Sequence, residues 1–332
     1  LNFGEGKHTP GGSPGAVGYL IGEQNRGLAY MFHMMNEARV GVGLGAVALG
    51  YTGYLQSLEY AKTRPQGRPL TERDPTTAQV PIIEHTDVRR MLLAQKAYVE
   101  GGLSLSLYCS RLLDEEMTNP DPDARAEAKR LLDILTPIAK SWPSQWCLEA
   151  NSLAIQVHGG YGYTREYNVE QLYRDNRLNP IHEGTHGIQG LDLLGRKAVQ
   201  DGGAALLLLL TKINETIDQA AAAGGVLADY AEELRTQSQA LAATTAALWA
   251  SGDPQVALAN ASVYLEAAGH VVVAWLWLSQ LVTASDKSGD FYDGKRAAGR
   301  YFFHYELPKA STQFALLNSL DRTALDAQPE WF

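Results

Sequence analysis

The sequence predicts an all-α protein in which a helical bundle is followed by a second helical unit. Apolar residues recur at helical spacing from about Gly27 onward, and no strand-like alternation of any length is found beyond residue 25. After about residue 220 the chain becomes rich in alanine but keeps the helical period. Because a helix with one apolar face must bury it against another element, both regions are expected to pack as bundles.

Three segments are expected along the chain, at 1–25, 26–220 and 221–332. Residues 1–22 hold seven glycines and two prolines, a density of breakers that no helix tolerates, so the first segment is predicted to be loop or strand remnant. The chain starts at Leu1, and the residues that follow show neither the basic region nor the apolar core of a targeting peptide. We therefore expect it to be a piece of a longer protein.

Three long helices are predicted in the second segment. The first extends over about 27–62 and the second over about 88–116. The third begins after a break at 119–122 and ends at His158, where glycines follow. From Trp146 to Val157 it carries apolar residues at spacings of four, three and four, which is one stripe on a helix.

Shorter elements connect and follow these helices. Residues 64–81 contain four prolines and are predicted to be a long loop, a kind of segment that is often functional. A short helix is expected over 169–177. The Asn-Pro pair at 179–180 favours extended backbone, and a further helix is expected from Thr185 to beyond Leu210.

The third segment is predicted to contain helical stretches over 226–251, 254–285 and 290–320. Trp275 and Trp277 lie in a run of eight consecutive apolar residues. Such a run cannot stay in water, so this segment is expected to pack against the first bundle.

Composition and charge exclude several classes of protein. The 28 Lys and Arg residues against 37 Asp and Glu give a net charge of −9, and no basic run is present that could track a nucleic acid. The apolar stretches at 204–210 and 271–278 are shorter than the roughly 20 residues that span a bilayer, so buried helices are expected. Cys109 and Cys147 form no CxxC pair and are too few for a disulfide framework, which favours a reducing cytoplasm.

Residues 182–186, HEGTH, match the HExxH pattern in which two histidines one helical turn apart bind zinc. Pro180 and Gly184 oppose the continuous helix that this pattern needs. The nearest following acids, Asp192 and Asp201, give no convincing third ligand. No metal site is therefore predicted, although a zinc hydrolase stays as an alternative function.

Three segments carry a resemblance to a known family. In chain order they read IGEQNRG at 21–27 with NEAR at 36–39, YAKTRPQG at 60–67, and IQVHGGYGY at 155–163 followed by YRD at 173–175 and IHEGT at 181–185. Together they resemble the C-terminal helical domain of the acyl-CoA dehydrogenases, flavoenzymes that oxidise acyl-CoA thioesters to trans-2-enoyl-CoA. Order and spacing agree over about residues 16–200, which chance does not explain.

The remaining features resemble one branch of that family, the long bacterial enzymes of the 3-methylmercaptopropionyl-CoA dehydrogenase type, which carry an appended C-terminal domain. The chain has RPQG at 64–67 where the family commonly has Arg-x-x-Phe-Gly, and Gly187 where Gln is common. It also has a proline-rich insertion at 68–85 and the helical unit after residue 220. The resemblance thus implies the family's four-helix-bundle domain, a second helical domain, and a short β-domain remnant at the N-terminus.

The resemblance implies roles for nine residues of this chain. Glu183, in the Glu-Gly-Thr motif, matches the catalytic base of the family. FAD is the implied cofactor, and the residues that match its contacts are Arg64, Gln156, Gly159, Gly160 and Thr185. The residues that match the substrate side are Arg39, Asn36 and Gly184.

These residue types suit the removal of hydrogen from Cα and Cβ of a thioester. The reaction needs a base for the α-proton, stabilisation of the developing enolate, and an acceptor for the β-hydride, which in this family is the flavin. A carboxylate in an apolar, substrate-filled pocket gains basicity because burial disfavours its charged form. The planar fork of an arginine suits a pyrophosphate, and glycines permit close approach because they lack Cβ.

Taken from the residues alone, these side chains also have structural interpretations. Glu183 can be an acid at a helix N-terminus that the helix dipole stabilises. Arg64 can be a helix-end cation, Gln156 a satisfied polar residue on a helix, and Arg39 a member of a surface ion pair. A non-catalytic helical dimerisation scaffold is accordingly the second alternative function.

The partners implied by the resemblance are an acyl-CoA substrate, an electron-accepting flavoprotein or similar acceptor, and a second copy of the chain in a homodimer or dimer of dimers. No nucleic acid and no membrane span are expected. The full-length parent is expected to be the active enzyme. This chain, without the N-terminal domain and most of the β-domain, is expected to be inactive alone.

Overall fold

The computed structural model describes residues 9–72 and 74–332, without the side chains of Pro10, Ala29, Phe32 and His33. Within these ranges the regular structure is helical, apart from one isolated antiparallel bridge between Pro65 and Pro81. In chain order the α-helices are α1 (Gly27–Thr63), α2 (Thr86–Thr118), α3 (Pro122–His158), α4 (Val169–Asn176), α5 (His186–Asp192), α6 (Gln200–Ala223), α7 (Val226–Ala250), α8 (Pro254–Leu258), α9 (Ala261–Thr283), α10 (Asp290–Tyr301), α11 (Lys309–Asn318) and α12 (Thr323–Asp326). Short 3₁₀-helices lie at Pro10–Gly12, Ile82–Glu84, Gly159–Tyr163 and Pro329–Trp331, and π-helical turns lie at Leu193–Lys197 and Phe302–Glu306.

The chain divides into two compact units, residues 1–37 and 38–332. In the first, a single 3₁₀ turn at Pro10–Gly12 is followed by irregular backbone up to the start of α1. The β-domain remnant expected at 1–25 includes residues 1–8, which lie outside the described residues.

The three long helices confirm the prediction from apolar spacing. The third, α3, begins where Asp121 accepts a hydrogen bond from the backbone N–H of Asp123 and Pro122 occupies the first helical position. It ends at Gly159, whose φ of 62° suits a residue without Cβ.

Helices α1 and α3 lie very close together because glycines of α1 face α3. A Cβ at Gly50 would lie 2.7 Å from the Cβ of Cys147, and one at Gly53 would lie 2.6 Å from Nδ2 of Asn151. Larger residues at these positions would force the two helices apart. This close approach brings polar side chains of α3 to the backbone of α1.

The helices after residue 220 pack against the first bundle, as predicted. Trp277 of α9 is fully buried and donates a hydrogen bond to the carbonyl of Ala97 on α2 at 3.2 Å. Trp275 donates to the hydroxyl of Thr216 at 2.8 Å. Residues 38–332 form one compact unit, and the boundary expected near residue 220 stays a prediction.

Helix α9 is long and apolar enough to cross a membrane by length and composition alone. However, 83% of its most apolar 18-residue window is buried inside the protein. A helix that is hydrophobic all round and covered by other helices has the character of a core helix.

The prediction of one continuous helix from Thr185 to beyond Leu210 is wrong. Helix α5 ends at Asp192, a π-helical turn follows, and the backbone turns left-handed at Asp201, Gly202 and Gly203 before α6 becomes regular. Because two consecutive glycines adopt positive φ at little cost, they allow this break.

Candidate active site

A loop between α4 and α5 carries Glu183, and its backbone is unusual. Glu183 has a φ of 54° and Gly184 a φ of 95°, so two consecutive residues adopt left-handed conformations. Thr185 then returns to extended backbone and forms the N-cap of α5. A Cβ at Gly184 would lie 2.5 Å from Nε2 of Gln189, so only glycine fits there without movement. This reversal leaves the Glu183 and Thr185 side chains exposed.

Two buried side chains hold the backbone of this loop from the inside. The ammonium of Lys140, on α3, donates to the carbonyl of Asn179 at 2.8 Å and to the carbonyl of Gly184 at 2.6 Å. Nε2 of Gln189, on α5, donates to the carbonyl of Glu183 at 2.9 Å. Both side chains are fully buried. The carbonyls of residues 179, 183 and 184 are therefore fixed by side chains that are distant in the sequence.

Three buried asparagines connect the loop to α3 and α1. The Nδ2 of Asn179 donates to Oδ1 of Asn176 at 2.8 Å, and Nδ2 of Asn176 donates to Oδ1 of Asn151 at 2.7 Å. Asn151 in turn donates to the carbonyl of Leu49, and Asn176 also donates to that of Ala46. We call this set of three residues the asparagine network. Its buried hydrogen bonds rigidify the start of the loop.

The network also corrects one expectation about the loop. Extended backbone was predicted at 179–180, but this is wrong, because the N–H groups of Ile181 and His182 both donate to the carbonyl of Leu178 at 2.9 and 3.2 Å. The chain therefore turns here. The buried bonds of Asn179 hold this turn against the ordinary preference of a residue before proline.

Charged groups from three helices surround the loop. The pKa of Lys140 is lowered to about 8, mainly by burial and in addition by the positive charge of Arg39, while the carboxylate of Glu183 acts in the opposite direction. Arg39, 7% exposed, forms an ion pair with Asp192 at 2.8 Å, while its Nε has no hydrogen-bond partner among the described residues. The structure thus places Arg39 near the loop, where an ion pair already engages one side of its guanidinium.

The substrate role expected for Arg39 stays a prediction, as does that of Asn36. Asn36 lies three residues before Arg39 on α1, in the unit formed by residues 1–37, and is half-buried. The same holds for Gly184, whose backbone is part of the loop and whose carbonyl bonds to Lys140.

The HEGTH segment does not form the helix that a pair of zinc-binding histidines needs. The left-handed residues Glu183 and Gly184 separate His182 from His186. His182 donates through Nδ1 to the carbonyl of Leu178, and Nε2 of His186 donates to Oε1 of Gln145 at 2.9 Å. Over 9–72 and 74–332, no group of three or more His, Cys, Asp or Glu side chains is placed to hold a metal ion. The geometry therefore gives the zinc hydrolase alternative no support.

His186 is neutral at ordinary pH. Burial lowers its pKa to about 4, and the charges of Lys140 and Arg177 act in the same direction. A neutral imidazole hydrogen-bonded to an amide at the start of α5 anchors this helix and holds no charge beside Glu183.

A second group of predicted residues lies where α1 and α3 end. The guanidinium carbon of Arg64 lies 5.5 Å from the centre of the Tyr161 ring, and Nε of Arg64 is buried without a hydrogen-bond partner among the described residues. Gly159 and Gly160 have open space where a Cβ would stand. Gln156 is exposed on the last turn of α3. We call these four residues, Arg64, Gln156, Gly159 and Gly160, the glycine-turn group.

This arrangement fits part of a nucleotide cofactor such as FAD. A buried guanidinium donor without a partner suits an anionic or carbonyl acceptor. The glycine turn leaves room for the backbone to approach a ligand, and the exposed amide of Gln156 adds donors and an acceptor. Thr185 is the one predicted FAD residue outside this group, since it lies beside Glu183.

Stacked aromatic rings pack next to the glycine-turn group. Tyr60 of α1 stacks on His158 with ring centres 4.3 Å apart, and Tyr167 packs edge-on against both rings. His158 bonds through Nδ1 to the carbonyl of Ala154, and burial lowers its pKa, which favours the neutral ring. The end of α1 and the end of α3 are thereby joined through uncharged rings.

Sequence analysis did not identify Lys140, Gln189 or the asparagine network. One signal was available for Lys140, because it is the only cation in the mainly apolar stretch 131–147 of α3. A lone ammonium in such a segment must find buried acceptors. Nothing in the spacing indicated which carbonyls those would be.

Comparison with known protein families agrees with the fold. Residues 25–197 match the family described as "Acyl-CoA dehydrogenase, C-terminal domain", and residues 209–328 match "Acetyl-CoA dehydrogenase C-terminal like". The two matches together include every predicted site residue and helices α1 to α12, except for the first nine residues of α6, which lie in the unmatched junction at 198–208.

Two relatives illustrate the similarity in sequence. The chain is 38% identical over 321 residues to 3-methylmercaptopropionyl-CoA dehydrogenase of Ruegeria pomeroyi, covering 94% of this chain and 54% of that protein. It is 33% identical over 328 residues to a broad-specificity linear acyl-CoA dehydrogenase of Mycobacterium tuberculosis, again covering 94% and 54%. The chain thus spans about half the length of these relatives.

Solved structures agree in fold. ACDH-11 of Caenorhabditis elegans in complex with C11-CoA has a TM-score of 0.66 at 18% identity, over 92% of this chain and 50% of that chain. An acyl-CoA dehydrogenase of Bacillus anthracis complexed with FAD has a TM-score of 0.59 at 18% identity, over 90% and 58%. Because the family model of the acyl-CoA dehydrogenase C-terminal domain matches residues 25–197, more than half of the chain, the chain belongs to the acyl-CoA dehydrogenase family.

Proposed function

We propose that this chain is the C-terminal half of an FAD-dependent enzyme that converts an acyl-CoA to its trans-2-enoyl-CoA, with Glu183 as the catalytic base. The observation that carries the proposal is the Glu183 loop. Its carboxylate is exposed, while Lys140 and Gln189 hold the backbone on the opposite side. A base held in this way is oriented before the substrate arrives, which is what efficient proton transfer requires.

In the proposed reaction, a single carboxylate of this chain removes a proton from the substrate. Glu183 takes the α-proton of the thioester, and the substrate that covers the carboxylate removes it from water and raises its basicity. Bound FAD supplies the acceptor for the β-hydride. Gly184 lets the thioester approach the loop backbone, and Arg39 and Asn36 are proposed to line the acyl side of the site.

The cofactor contacts are proposed to come from two places. Thr185 contacts the FAD that serves Glu183, while Arg64, Gln156, Gly159 and Gly160 contact the FAD of a partner subunit in a dimer. The Nε of Arg64, which has no hydrogen-bond partner in the described part of the chain and lies beside the open glycine turn, supports this assignment. The proposed electron acceptor is a flavoprotein. A relative 30% identical over 53% of the chain is named a subunit of a caffeyl-CoA reductase-Etf complex, which supports this proposal.

A site shared between domains and subunits has a consequence for this chain in isolation. The 332-residue chain is expected to be helical but to bind FAD weakly, because most contacts to the flavin ring would come from a preceding domain. Flavin titration of the chain alone tests this. Nanomolar binding would mean that the cofactor site lies elsewhere.

The experiment that tests the function uses the full-length protein and an acyl-CoA in the absence of any electron acceptor. Wild type is expected to purify with FAD and to lose its oxidised-flavin absorbance when acyl-CoA is added. Glu183→Gln should keep FAD and bind acyl-CoA but bleach about 10²–10⁴-fold more slowly, because the amide cannot accept the proton. The matched control is Glu170→Gln on α4, which should bleach like wild type.

Two outcomes would contradict the proposal. If Glu183→Gln bleaches at close to the wild-type rate, the base is another residue. If the wild-type protein neither holds FAD nor bleaches with any acyl-CoA, the non-catalytic scaffold is the better description.

A further inference from the structure

We propose that Lys140 is a positioning residue, which fixes the Glu183 loop through two backbone carbonyls and places its positive charge behind the base. The inference rests on the proposed function in so far as Glu183 is the base. Lys140 does not touch the exposed carboxylate side of the loop in this proposal. It acts through its hydrogen bonds to the loop backbone and through the electric field of its positive charge.

The first argument is the placement of the two hydrogen bonds. The carbonyl of Asn179 lies four residues before Glu183, and the carbonyl of Gly184 lies directly after it. One ammonium therefore joins the start of the loop to its end and closes it as a ring around residues 180–183. Lys140 lies 44 residues from Gly184 in the sequence, so this closure couples the loop to the rigid third helix.

The second argument is that the loop does not hold this shape by itself. Glu183 adopts a left-handed φ of 54°, a conformation that a residue with Cβ rarely takes without support. The support comes from Lys140, from Gln189 on the carbonyl of Glu183, and from the asparagine network at Asn179. Of these, Lys140 is the one that bonds on both sides of the base.

The third argument is the electrostatic arrangement around Lys140. Its ammonium is fully buried, and no carboxylate among the described residues lies within ion-pair distance of it. An apolar residue would be less costly at this position of a buried helix. The charge instead lies beside the loop, where the carboxylate of Glu183 favours the charged form of the Lys140 ammonium.

The other charged groups that face this region do not replace Lys140. Arg39, from α1, is ion-paired to Asp192 of α5. His186, also of α5, is neutral because burial lowers its pKa to about 4, and Arg177, at the end of α4, acts on His186. Lys140 is therefore the charge bonded directly to the loop backbone.

The test compares Lys140→Met with Lys129→Met in the full-length protein. Lys129 lies on the same helix but is exposed, where it pairs with Glu116. In Lys140→Met, bleaching of bound FAD by acyl-CoA should slow about 10²-fold, because a misplaced reacting group typically loses that much. FAD content should be unchanged. Hydrogen exchange should accelerate in the peptide that covers 179–187 and stay unchanged in α2 and α7.

A pH profile of the bleaching rate distinguishes a role of Lys140 in positioning and charge from a role in packing alone. Because a nearby positive charge favours an ionised carboxylate, its removal should move the acid limb of the bleaching rate to higher pH. Lys140→Gln, which keeps a donor but no charge, should show the same displacement with a smaller loss of rate. Lys129→Met should leave both the rate and the limb in place.

Each result decides the matter. Bleaching of Lys140→Met within about twofold of wild type, or an acid limb that stays in place in both Lys140 variants, overturns the proposal. If neither variant accumulates as folded protein, Lys140 serves the fold and the proposal fails as well. If Glu183→Gln bleaches normally, the proposed function fails, while faster exchange at 179–187 in Lys140→Met still establishes the closure of the loop.

Discussion

The Glu183 loop and the glycine-turn group carry seven of the nine predicted site residues, but they are built in opposite ways. The loop is bound from inside by Lys140, Gln189 and the asparagine network, so its backbone is fixed within this chain. The glycine-turn group has open space at Gly159 and Gly160, and the buried Nε of Arg64 has no partner among the described residues. The difference indicates that the Glu183 loop is ordered by contacts within this chain, whereas the second region leaves space and a buried donor that the described residues do not fill.

The largest effect is expected from breaking the asparagine network. Asn176→Ala removes a residue that accepts from Asn179 and donates to Asn151 and Ala46, and leaves all three without this partner in the core. The free energy of unfolding should fall by about 2–4 kcal/mol, since buried polar groups would lose their bonds. Chemical denaturation measures this loss.

The control for that experiment is Asn168→Ala. Asn168 precedes α4, is exposed, and makes no side-chain bond as the N-cap. Its replacement should change the free energy of unfolding by less than about 0.5 kcal/mol. Equal losses in both variants would show that the network does not stabilise the loop region specifically.

Two glycine substitutions compare the closed Glu183 loop with the open glycine-turn group. Gly184→Ala places a Cβ against Gln189 at a residue with a φ of 95°, so the free energy of unfolding should fall by about 1–3 kcal/mol. Gly160→Ala meets open space at an ordinary φ and should cost less than about 0.5 kcal/mol. Thermal unfolding of both variants compares them directly, and a larger loss for Gly160→Ala would reverse the account.

In the glycine-turn group, the effect is expected on FAD and not on folding. Arg64→Met keeps an aliphatic stem beside Tyr161 but removes the donors. FAD affinity of the full-length protein should fall about tenfold or more, while the thermal midpoint of the FAD-free protein stays within a few degrees. A variant that binds FAD normally would show that Arg64 is only a helix-end cation.

The last comparison concerns the pH dependence of stability. The folded pKa of Lys140, about 8, lies below its ordinary value of 10.5, so between these values the unfolded chain binds more protons at this residue. The contribution of Lys140 to the free energy of unfolding should therefore rise with pH over this window. Lys140→Met should show a shallower rise than wild type in denaturation series from pH 8 to 10, and identical slopes would contradict the burial of a charged Lys140.

The two regions also differ in how far the sequence predicted them. Helices α1, α2 and α3 were predicted to within a few residues, because apolar spacing and helix-ending residues are local signals. The glycine stop at Gly159 is of the same kind. The positions of the glycine-turn group therefore followed from local pattern together with the family resemblance.

The Glu183 loop was predicted less well, since long-range contacts determine its shape. Pro180 pointed to extended backbone, yet Lys140 and Asn176 hold a turn there through bonds that spacing does not reveal. The break at 201–203 was missed because apolar periodicity resumes on both sides of it.

The central claim is that Glu183 removes the α-proton, and the exchange of that proton measures this step without the oxidation. The full-length protein is incubated in D2O with an acyl-CoA whose β-position carries no hydrogen, and NMR follows the loss of the α-proton signal. Wild type is expected to exchange the α-proton. In Glu183→Gln the exchange rate should be lower by about 10²-fold or more, whereas Glu170→Gln should exchange at the wild-type rate. Exchange by Glu183→Gln at the wild-type rate would contradict the account and leave Glu183 as an acid at the start of a helix.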